Sequence, residues 1–407
     1  MKLIYLTNAR IPTEKAHGLQ IMKMCEGFSK SEIRNKKSET NSKTEIQNSK
    51  LDVELIVPRR HNLIKQDPFE YYGVKRNFKI TRIFCFDLLW LGFGHKLAFY
   101  LQSFSFSKMA VLYALFKYGR RDNIFYSRDY ITLFFLCLLG LKPVAEIHDY
   151  RSGKPRWWMN FIVKKSAKII CNSEGTKESL LEHYPSPSEK TLVAPNGVDV
   201  GFFDIKETKE EARKKLDMTK GETIIGYVGR LEVAGGEKGV SSLIQAFAGL
   251  REVSKGCILY IIGGPNELIE KYKVSLKEWG VAPEKVVFTG QVEYRKIPLY
   301  LKAIDIVVMT PPEESKYAAT TSPIKLFEYL AAGKAIVAPD LPAWRAILNE
   351  QNALFFNPAD QDDLAKKIKL LDEDKNLVEG LSGQALEDAK NYTWAKRVEK
   401  IISFAES

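Results

Sequence analysis

The sequence predicts an α/β protein with two doubly wound domains of parallel strands, and three observations support this prediction. At 407 residues the chain is too long for a single typical core. Short apolar runs alternate with helical patterns along most of its length, which is typical of parallel sheets covered by helices. A segment rich in Lys and Glu, residues 204–221, separates two such series. We therefore expect domains at residues 1–203 and 204–388, followed by a helical segment at residues 389–407.

Six apolar runs predict the strands of the first domain: KLIYLT (2–7), DVELIVP (52–58), NIFYS (123–127), PVAEIH (143–148), KIICNS (168–173) and TLVAP (191–195). Residues 30–50 are polar and predict a mobile loop or insertion. Residues 83–118 are dense in Phe, Leu and Tyr, which predicts buried helices, the favoured interpretation, or a surface that touches membrane. The apolar run at 131–141 is too short to span a bilayer and predicts a buried helix.

Five further runs predict the strands of the second domain: TIIGYVG (223–229), GCILYIIGG (256–264), KVVFTG (285–290), DIVVMT (305–310) and KAIVAP (334–339). Between the last two, TTSPIKLFEYLAAGK predicts a helix with Ser322 as its cap and Pro323 in its first turn. Lys325 and Glu328 are three residues apart, so they share one face of this helix. Ligands of such folds bind beyond the carboxyl ends of the strands, so we expect a central cleft between the domains.

Charge and cysteine content limit the functional classes. Residues 1–200 carry 32 Lys and Arg against 19 Asp and Glu, whereas residues 201–407 carry 29 against 31. The basic half is expected to attract a phosphorylated substrate, anionic lipid or nucleic acid. No zinc spacing, RNA-binding aromatic signature or helix-turn-helix pattern supports nucleic acid. Five scattered cysteines without a CxxC pair favour a reducing cytoplasm, and the N-terminal stretch is not a signal peptide.

The junction after the strand at 223–229 carries Arg230, a glycine-rich stretch and Lys238, in the sequence GRLEVAGGEKG. The two cations can converge on a diphosphate, and the glycines allow the backbone to approach it closely. Lys325 beside a helix N-terminus can also hold phosphate, while Glu328 can accept hydrogen bonds from hydroxyls. This combination outlines a nucleotide-sugar site. No GxGxxG follows any predicted strand, which argues against a nicotinamide or flavin enzyme.

Five segments occur in a fixed order: PNGVD (195–199), GYVGRLEVAGGEKG (226–239), LYIIGGP (259–265), VVFTGQVEYRKIPLYLKAIDIVVMTP (286–311) and SPIKLFEYLAAGKAIVAPD (322–340). In that order the chain resembles the retaining GT-B glycosyltransferases, a large family of cell-envelope, glycogen and sucrose-type enzymes that take sugars from nucleotide diphosphates. The resemblance is strong over residues 190–345 and moderate over 1–30 and 143–195. It implies two Rossmann-like domains that face a central cleft, with the C-terminal helix packing back across both.

The resemblance implies donor-binding residues in the second domain. Arg230 and Lys238 match the basic pair that neutralises the donor diphosphate, which is the leaving group and gathers negative charge in the transition state. Lys325, with the backbone at Ser322, matches the phosphate-facing start of a helix. Glu328 matches the glutamate that accepts the ribose hydroxyls, since a carboxylate offers two acceptor oxygens to a vicinal diol.

One position departs from the family pattern. The family usually has two glutamates separated by seven residues, and the earlier one, which touches the transferred sugar, is here Thr320. A subset of the family with the pattern Ser-Pro-x-Lys-x-Phe-Glu-Tyr also lacks it. The sugar hydroxyls would then be met by backbone NH groups or by Glu313 or Glu314. Val292, in the VVFTGQVEY segment, is a further donor-binding position that the resemblance implies.

The resemblance also implies site residues in the first domain. Gly18 falls in a loop that borders the donor phosphates and the acceptor, and His17 beside it is either a contact or a bystander. His148 resembles a histidine beside the reacting sugar, where it would hydrogen-bond a donor hydroxyl or assist the acceptor. Asp149 would orient His148 or serve as a base. Ser173 is expected to cap a helix, or to line the cleft.

The leading hypothesis is a metal-independent retaining glycosyltransferase without a cofactor, with His148, Asp149, Arg230 and Lys238 as catalytic residues. The cations and backbone donors would replace a metal, which agrees with the missing Asp-x-Asp motif, and attack and departure would share one face of the sugar. The expected acceptor is a glycan or a lipid-linked glycan, with peripheral contact to an anionic membrane. Two alternatives stay open: a nucleotide-sugar epimerase on the same fold, and a non-catalytic nucleotide-sugar-binding paralogue.

Overall fold

The computed structural model describes residues 1–36, 46–88, 95–148, 150, 156–185, 188–218, 222–233, 236–250, 256–310 and 320–407. The chain divides into two compact units. Unit 1 comprises Met1–Pro195 and Trp394–Ser407, and unit 2 comprises Asn196–Thr393. The boundary therefore follows Pro195 instead of residue 203, and the last helix begins at Trp394 and counts with unit 1.

The strands of unit 1 are β1 (Lys2–Leu6), β2 (Glu32–Lys36), β3 (Ile46–Lys50), β4 (Asp52–Pro58), β5 (Lys79–Ile83), β6 (Asn123–Ser127), β7 (Val144–Ile147), β8 (Lys168–Cys171) and β9 (Thr191–Val193). Seven of them form a parallel sheet in the order β5-β4-β1-β6-β7-β8-β9. The chain thus leaves the centre in one direction and returns to build the other half, which is the doubly wound topology that the sequence predicts.

Residues 30–50, predicted as a mobile loop or insertion, contain two strands. Strands β2 and β3 pair in antiparallel register, with Glu32 opposite Lys50, and residues 37–45 lie outside the described part of the chain. An isolated two-stranded ribbon satisfies backbone hydrogen bonds without burying an apolar face. Its polar sequence therefore gave no strand signal.

The helices of unit 1 before its last one are α1 (Ala16–Lys30), α2 (Pro68–Tyr72), α3 (His95–Tyr118), α4 (Tyr130–Leu138), α5 (Trp157–Lys165) and α6 (Glu174–His183). The apolar stripe of α1, formed by Ile21, Met24, Cys25 and Phe28, is fully buried. Ser173 caps α6 as predicted, since its hydroxyl accepts a hydrogen bond from the backbone N–H of Thr176 at 3.1 Å. Helices α3 and α4 bury only one face, so the prediction of buried helices there is correct for half of their surface.

The strands of unit 2 are β10 (Thr223–Val228), β11 (Glu232–Val233), β12 (Gly236–Glu237), β13 (Cys257–Ile262), β14 (Val286–Gly290), β15 (Ile306–Val308), β16 (Ala335–Pro339) and β17 (Ala353–Phe356). Six of them form a parallel sheet in the order β14-β13-β10-β15-β16-β17. Along β10, Ile224 and Val228 pack in one apolar cluster and Ile225 and Tyr227 in another. Both faces of this sheet are therefore buried, as continuous apolar runs predict.

The helices of unit 2 are α7 (Val200–Phe203), α8 (Lys209–Lys215), α9 (Val240–Gly249), α10 (Asn266–Ser275), α11 (Ile297–Ala303), α12 (Ile324–Ala331), α13 (Pro342–Arg345), α14 (Gln361–Glu373) and α15 (Lys375–Ala389). The chain then returns to unit 1 with α16 (Trp394–Glu406), which packs on α1 and β8. The fold class is confirmed as α/β with two parallel sheets, one in each unit.

Candidate functional site

In unit 2, a glycine follows the carboxyl end of each of the strands β10 and β13. Gly229 follows β10 with a φ of 144°, and Gly263 follows β13 with a φ of 141°, both in a region that favours glycine. A Cβ atom on Gly263 would lie 2.0 Å from the carbonyl oxygen of Gly229, so the two segments approach more closely than any side chain allows. A Cβ atom on Gly229 would lie 3.6 Å from Nζ of Lys325. The glycine there leaves the backbone open beside this ammonium group.

Lys325 lies in the first turn of α12. Its Nζ atom is buried and has no hydrogen-bond partner among the residues that the structure describes. The ammonium lies 3.8 Å from the centroid of the Tyr227 ring, a cation–π contact that offsets part of the cost of burial. Burial and the nearby charge of Lys238 lower the pKa of Lys325 well below its usual range. A buried cation without an acceptor is unfavourable, so this position is suited to an anionic ligand.

Arg230 and Lys238 extend this positive region, as the sequence predicted. Burial and the Arg230 charge lower the pKa of Lys238 to about 8. The Lys238 backbone is fixed because its N–H donates to Leu231 at 2.9 Å and its carbonyl accepts from the Thr310 hydroxyl. Arg230 is partly exposed and forms an ion pair with Glu232 at 3.0 Å. The structure thus brings Arg230, Lys238 and Lys325 together in unit 2.

Glu328 lies one turn after Lys325 on the same helix and is 8% exposed. Burial raises its pKa to about 7, although a hydrogen bond from the Tyr294 hydroxyl and the charge of Lys325 act in the opposite direction. The Tyr294 ring is held by a parallel stack on Phe202, with centroids 5.1 Å apart. The carboxyl group is therefore oriented by Tyr294, a residue that sequence analysis did not single out.

Ser322 does not have the predicted role of helix cap. The N-cap of α12 is Pro323, and no side chain hydrogen-bonds the helix end there. The Ser322 hydroxyl instead accepts from the backbone N–H of Asn196 at 3.0 Å, and the Asn196 amide donates to the Ser322 carbonyl at 2.6 Å. Ser322 therefore hydrogen-bonds to Asn196 of the PNGVD segment and not to the end of the helix, so the cap prediction was wrong.

The other positions named for the second domain lie near this region or outside the described residues. Val292 is half-buried and packs against the apolar core of unit 2. Thr320 is 5% exposed. Glu313 and Glu314 lie outside the described part of the chain.

In unit 1, a buried network of polar side chains surrounds Glu146 on β7. This carboxylate accepts hydrogen bonds from Tyr126 at 2.6 Å, from Gln20 at 2.9 Å and from the guanidinium of Arg397 on α16. It also contacts Nε2 of His148 at 2.7 Å. Burial alone would raise the pKa of Glu146, but Arg397 and His148 hold it well below its usual range. Glu146 is therefore ionised.

The contact with Glu146 favours one tautomer of His148, although the Gln20 amide nitrogen also lies 3.1 Å from the same Nε2 atom. The 2.7 Å contact between Nε2 and Glu146 requires a proton between the two atoms, and an ionised carboxylate cannot supply it. Nε2 therefore carries the hydrogen, and Nδ1 is the unprotonated nitrogen. Burial and the charge of Arg128 lower the pKa of His148 to about 4, although Glu146 acts in the opposite direction, so the imidazole is neutral at pH 7.

Arg397 is the anchor of the network and was missed by sequence analysis. Its guanidinium also donates to the backbone carbonyl of Pro195 at 2.8 Å, at the end of the first part of unit 1. Arg397 and Glu146 are 251 residues apart in the chain. No local pattern connects an arginine of a C-terminal helix with a glutamate of an internal strand, so the pairing is visible only in the fold.

Gly18, His17 and Asp149 were also predicted as site residues of the first domain. A Cβ atom on Gly18 would lie 2.2 Å from the Tyr72 hydroxyl, so packing alone requires glycine at this position. Tyr72 in turn donates to the carbonyl of Thr13 at 2.8 Å and orders this loop. Burial and the Arg128 charge lower the pKa of His17 to about 3, which leaves it neutral. Asp149 lies outside the described residues.

The described residues offer neither a metal site nor a membrane-spanning helix. They contain no group of three or more His, Cys, Asp or Glu side chains arranged to hold a metal ion. Their helices are also too short or too polar to cross a membrane.

Comparison with known families covers most of both units. Residues 48–202 match the family model described as Glycosyltransferase Family 4, and residues 222–374 match Glycosyl transferases group 1. The crystal structure of Anabaena HepE in complex with UDP and glucose aligns over 100% of both chains, with a TM-score of 0.72 and 15% identity. The chain is a GT-B glycosyltransferase. At that identity the structural match shows the fold alone.

Two relatives of this glycosyltransferase differ in how much of the chain they match. An uncharacterized glycosyltransferase of Methanocaldococcus jannaschii is 23% identical over 354 residues, which is 84% of this chain and 84% of that protein. An alpha-monoglucosyldiacylglycerol synthase of Streptococcus pneumoniae is 26% identical over 207 residues, 49% of this chain and 43% of its own length. In this glycosyltransferase the cationic region of unit 2 and the neutral, oriented histidine of unit 1 are the two features available for chemistry.

Proposed function

We propose that this glycosyltransferase moves a sugar from a nucleotide-diphosphate donor to a glycan or lipid-linked acceptor in cell-envelope polysaccharide or glycolipid synthesis. The transfer retains the anomeric configuration and needs neither a metal nor another cofactor. The observation that carries the proposal is the buried ammonium of Lys325, which has no hydrogen-bond acceptor among the described residues and lies close to Lys238. A diphosphate supplies the missing negative charge.

The three cations of unit 2 would stabilise the leaving group. Negative charge on the diphosphate grows as the bond to the sugar breaks, so fixed positive charge there lowers the barrier. Burial holds Lys325 in place, and backbone hydrogen bonds hold Lys238. Arg230 is near the surface, where it can move from Glu232 to a phosphate oxygen. Together they provide the charge that a divalent metal provides in other transferases.

Glu328 would bind the ribose of the donor. Tyr294 donates to this carboxyl group, which leaves acceptor capacity for the two vicinal hydroxyls of a ribose. Its position one turn from Lys325 matches the short distance between ribose and diphosphate in a nucleotide. Ser322 and the adjacent backbone, with Val292, complete the proposed donor site.

In unit 1, His148 would hold a hydroxyl of the transferred sugar or of the acceptor. Its Nδ1 atom accepts hydrogen bonds because Nε2 donates to Glu146. A neutral imidazole orients the sugar without adding charge, which suits attack and departure on one face. Gly18 and His17 are proposed to lie along the same binding surface, and Asp149 is proposed to orient His148 or to serve as a base.

The similarities support the choice of donor and acceptor. HepE has been crystallised with UDP-glucose, which favours a UDP-sugar as donor. The similarity to an alpha-monoglucosyldiacylglycerol synthase favours a lipid acceptor and contact with a membrane surface. None of the five cysteines, all of them in described segments, forms a disulfide, which supports a cytoplasmic location.

Incubation with labelled UDP-, GDP- and ADP-sugars and a lipid extract tests the proposal. We expect a glycosylated product with the anomeric configuration of the donor by proton NMR, and unchanged turnover in the presence of EDTA. A converted nucleotide sugar would identify an epimerase, and binding without either product would identify a non-catalytic paralogue. An inverted product or loss of turnover with EDTA would refute retention or metal independence separately.

A substitution at Glu328 tests the assignment of the ribose site. We expect Glu328→Ala to weaken UDP binding by roughly tenfold to a hundredfold, because two charge-assisted hydrogen bonds are lost. Calorimetry measures the affinity. Glu267→Ala, on the exposed surface of α10, is the matched control and should bind UDP as the wild type does. Equal affinities for the wild type and Glu328→Ala would remove Glu328 from the site.

A further inference from the structure

Three neighbouring helices of unit 1 expose an apolar surface that the proposed donor and sugar sites do not use. We call it the aromatic face and define it by Leu97, Leu101, Phe104, Phe134, Leu138 and Trp157. Trp157 is 73% exposed, Leu97 is 69% exposed and Leu138 is 56% exposed. The opposite sides of the same helices are buried in the core. Isolated exposed apolar residues are common, but a continuous group of this kind indicates an interaction surface.

Ring contacts make the aromatic face continuous across the three helices. Phe104 on α3 meets Phe135 on α4 with centroids 6.1 Å apart. Phe135 meets Phe134 on the same helix at 6.1 Å, and Phe134 meets Trp157 on α5 at 5.7 Å. The aromatic members of the face are therefore packed against one another from α3 to α5.

Charge distinguishes this surface from an ordinary protein interface. Helices α3, α4 and α5 contain no acidic residue. Lys164 and Lys165 lie seven and eight residues after Trp157, on the outward side of α5, and both are exposed. Lys108 is exposed one turn after Phe104. Lysine is depleted in protein–protein interfaces, whereas lysines that border aromatic side chains suit a membrane surface.

We propose that the aromatic face binds the surface of an anionic membrane. Trp157 and the phenylalanines would enter the boundary between head groups and acyl chains, where amphipathic rings are favoured. The lysines would reach the phosphates of anionic lipids with their aliphatic stems along the apolar surface. The inference rests on the proposed function and deepens it, because it places the acceptor-binding unit at a membrane and makes a lipid-linked acceptor the substrate class.

Sedimentation with vesicles tests the apolar part of the proposal. We expect the wild type to bind vesicles of phosphatidylcholine with phosphatidylglycerol and to bind pure phosphatidylcholine at least tenfold more weakly. Trp157→Ser and Leu101→Glu should each lower binding to the anionic vesicles by about tenfold or more. Val274→Glu, at a residue of unit 2 that is 80% exposed, is the matched control and should bind as the wild type does.

A charge reversal tests the electrostatic part. Lys164→Glu combined with Lys165→Glu should lower binding by more than tenfold, and raising the salt concentration should weaken the wild type more than this variant. Lys366→Glu combined with Lys375→Glu changes the net charge by the same amount on exposed positions of unit 2. If the two double variants lose the same affinity, net charge alone drives binding and the proposed surface is refuted.

Two further results would overturn the inference. One is equal binding of wild type and Trp157→Ser to anionic vesicles. The other is a dimer in sedimentation velocity that Leu101→Glu dissociates, because a second copy of the chain would then cover the face. UDP affinity, measured by calorimetry on the same proteins, should be unchanged in every variant. A wild type that binds UDP but no anionic vesicles refutes the surface only, whereas a wild type that binds vesicles but no nucleotide refutes the proposed function.

Discussion

One buried charge in each unit can be compared, Glu146 in unit 1 and Lys325 in unit 2, and their hydrogen bonding differs. In unit 1, the carboxylate of Glu146 is 0% exposed and receives hydrogen bonds from Arg397, Tyr126 and Gln20, and it also contacts His148. In unit 2, the ammonium of Lys325 is also buried, but no hydrogen-bond acceptor reaches it among the described residues. The carboxylate is paired by side chains of its own unit, whereas no described residue supplies an acceptor to the ammonium.

This difference separates a structural role from a ligand-binding one. A buried charge with good partners fixes the geometry of its surroundings, because each partner is costly to move. A buried charge without partners destabilises the unliganded protein and gains most from an ion of opposite sign. Unit 1 therefore presents a pre-organised histidine, and unit 2 retains an unfavourable cation that a ligand can neutralise. Each of the following predictions tests this contrast.

The largest expected effect follows from breaking the network in unit 1. Arg397→Met leaves Glu146 charged and buried without its main partner, which typically costs about 3–5 kcal/mol. We expect this loss in the free energy of unfolding, with faster hydrogen exchange confined to β7, β8 and α1. Arg345→Met is the control, because its ion pairs with Asp340 and Glu350 lie at the surface and should contribute about 1 kcal/mol or less. If both variants lose equal stability, the buried pair has no special role.

In the second prediction, one substitution raises the stability of the protein and lowers its turnover. Lys325→Met removes the unpaired ammonium, so we expect the unliganded protein to gain on the order of 1 kcal/mol in the free energy of unfolding. Turnover should fall by about a hundredfold to a thousandfold, because charge on the leaving group is no longer neutralised. Thermal denaturation and initial rates measure the two effects.

Lys334 provides a matched control for Lys325. It is also buried, but its ammonium donates to the carbonyl of Ile304 at 2.8 Å. Lys334→Met should therefore lower stability by about 1–3 kcal/mol, since a buried carbonyl loses its donor. UDP affinity should not change. A loss of stability in Lys325→Met would show that its ammonium has a partner and would contradict the contrast.

The sheet strands could be predicted from sequence wherever both faces of a strand are buried. Ile224–Val228 is a continuous apolar run, and the structure packs its alternate residues into two different cores. The β5 strand, KITRI, was missed because its side chains are exposed or half-exposed and its composition is mixed. Strand β17 at the edge of its sheet was also missed, and its two central side chains are only half-buried.

The candidate site residues of the two units also differ in how far they could be predicted from the sequence. Arg230, Lys238, Lys325 and Glu328 stand in short motifs next to strand ends, so their proximity follows from the topology and could be predicted. The orientation of His148 depends on Glu146, which Arg397 holds in place, and Arg397 lies far from both in the chain. No periodicity or motif encodes such a contact. Sequence analysis therefore identified the histidine without the residues that orient it.

The third prediction concerns pH, and the two units should respond with opposite signs. The pKa of His148 is about 4 in the folded chain against 6.5 for a free imidazole, so the unfolded chain binds more protons between these values. Its contribution to stability is complete above pH 6.5 and is lost as the pH falls, by up to about 3 kcal/mol at pH 4. Glu328 behaves in the opposite way, because its folded pKa of about 7 exceeds that of a free carboxyl group. Its ionisation costs stability as the pH rises from 4.5 to 7.

Hydrogen exchange at several pH values, resolved by unit, measures these slopes. We expect His148→Gln to reduce the acid-induced loss of stability in unit 1, with His17 supplying a remaining loss of the same sign. Glu328→Gln should abolish the loss in unit 2 between pH 4.5 and 7. The prediction is wrong if each substitution changes the slope in the other unit, or in neither.

The smallest expected effect is the uptake of a fraction of a proton when nucleotide binds. The pKa of Lys238 is about 8, so a large share of the protein molecules carry a neutral Lys238 at pH 8.5 before nucleotide binds. The pKa of Lys325 is also lowered. A diphosphate beside these groups favours their charged forms and raises both pKa values, so binding must take up protons from the buffer. Calorimetry in Tris and in Bicine, whose ionisation enthalpies differ, would show this uptake as a difference in apparent binding enthalpy.

The site of uptake can be assigned by substitution. Lys238→Met should reduce the buffer dependence at pH 8.5, while Lys273→Met, at an exposed lysine of α10, should leave it unchanged. At pH 6 the lysine of about pKa 8 is already charged, so its share of the uptake should disappear. Binding with the same apparent enthalpy in both buffers at pH 8.5 would mean that the diphosphate does not reach these lysines. The unpaired cation of unit 2 would then need an explanation other than ligand binding.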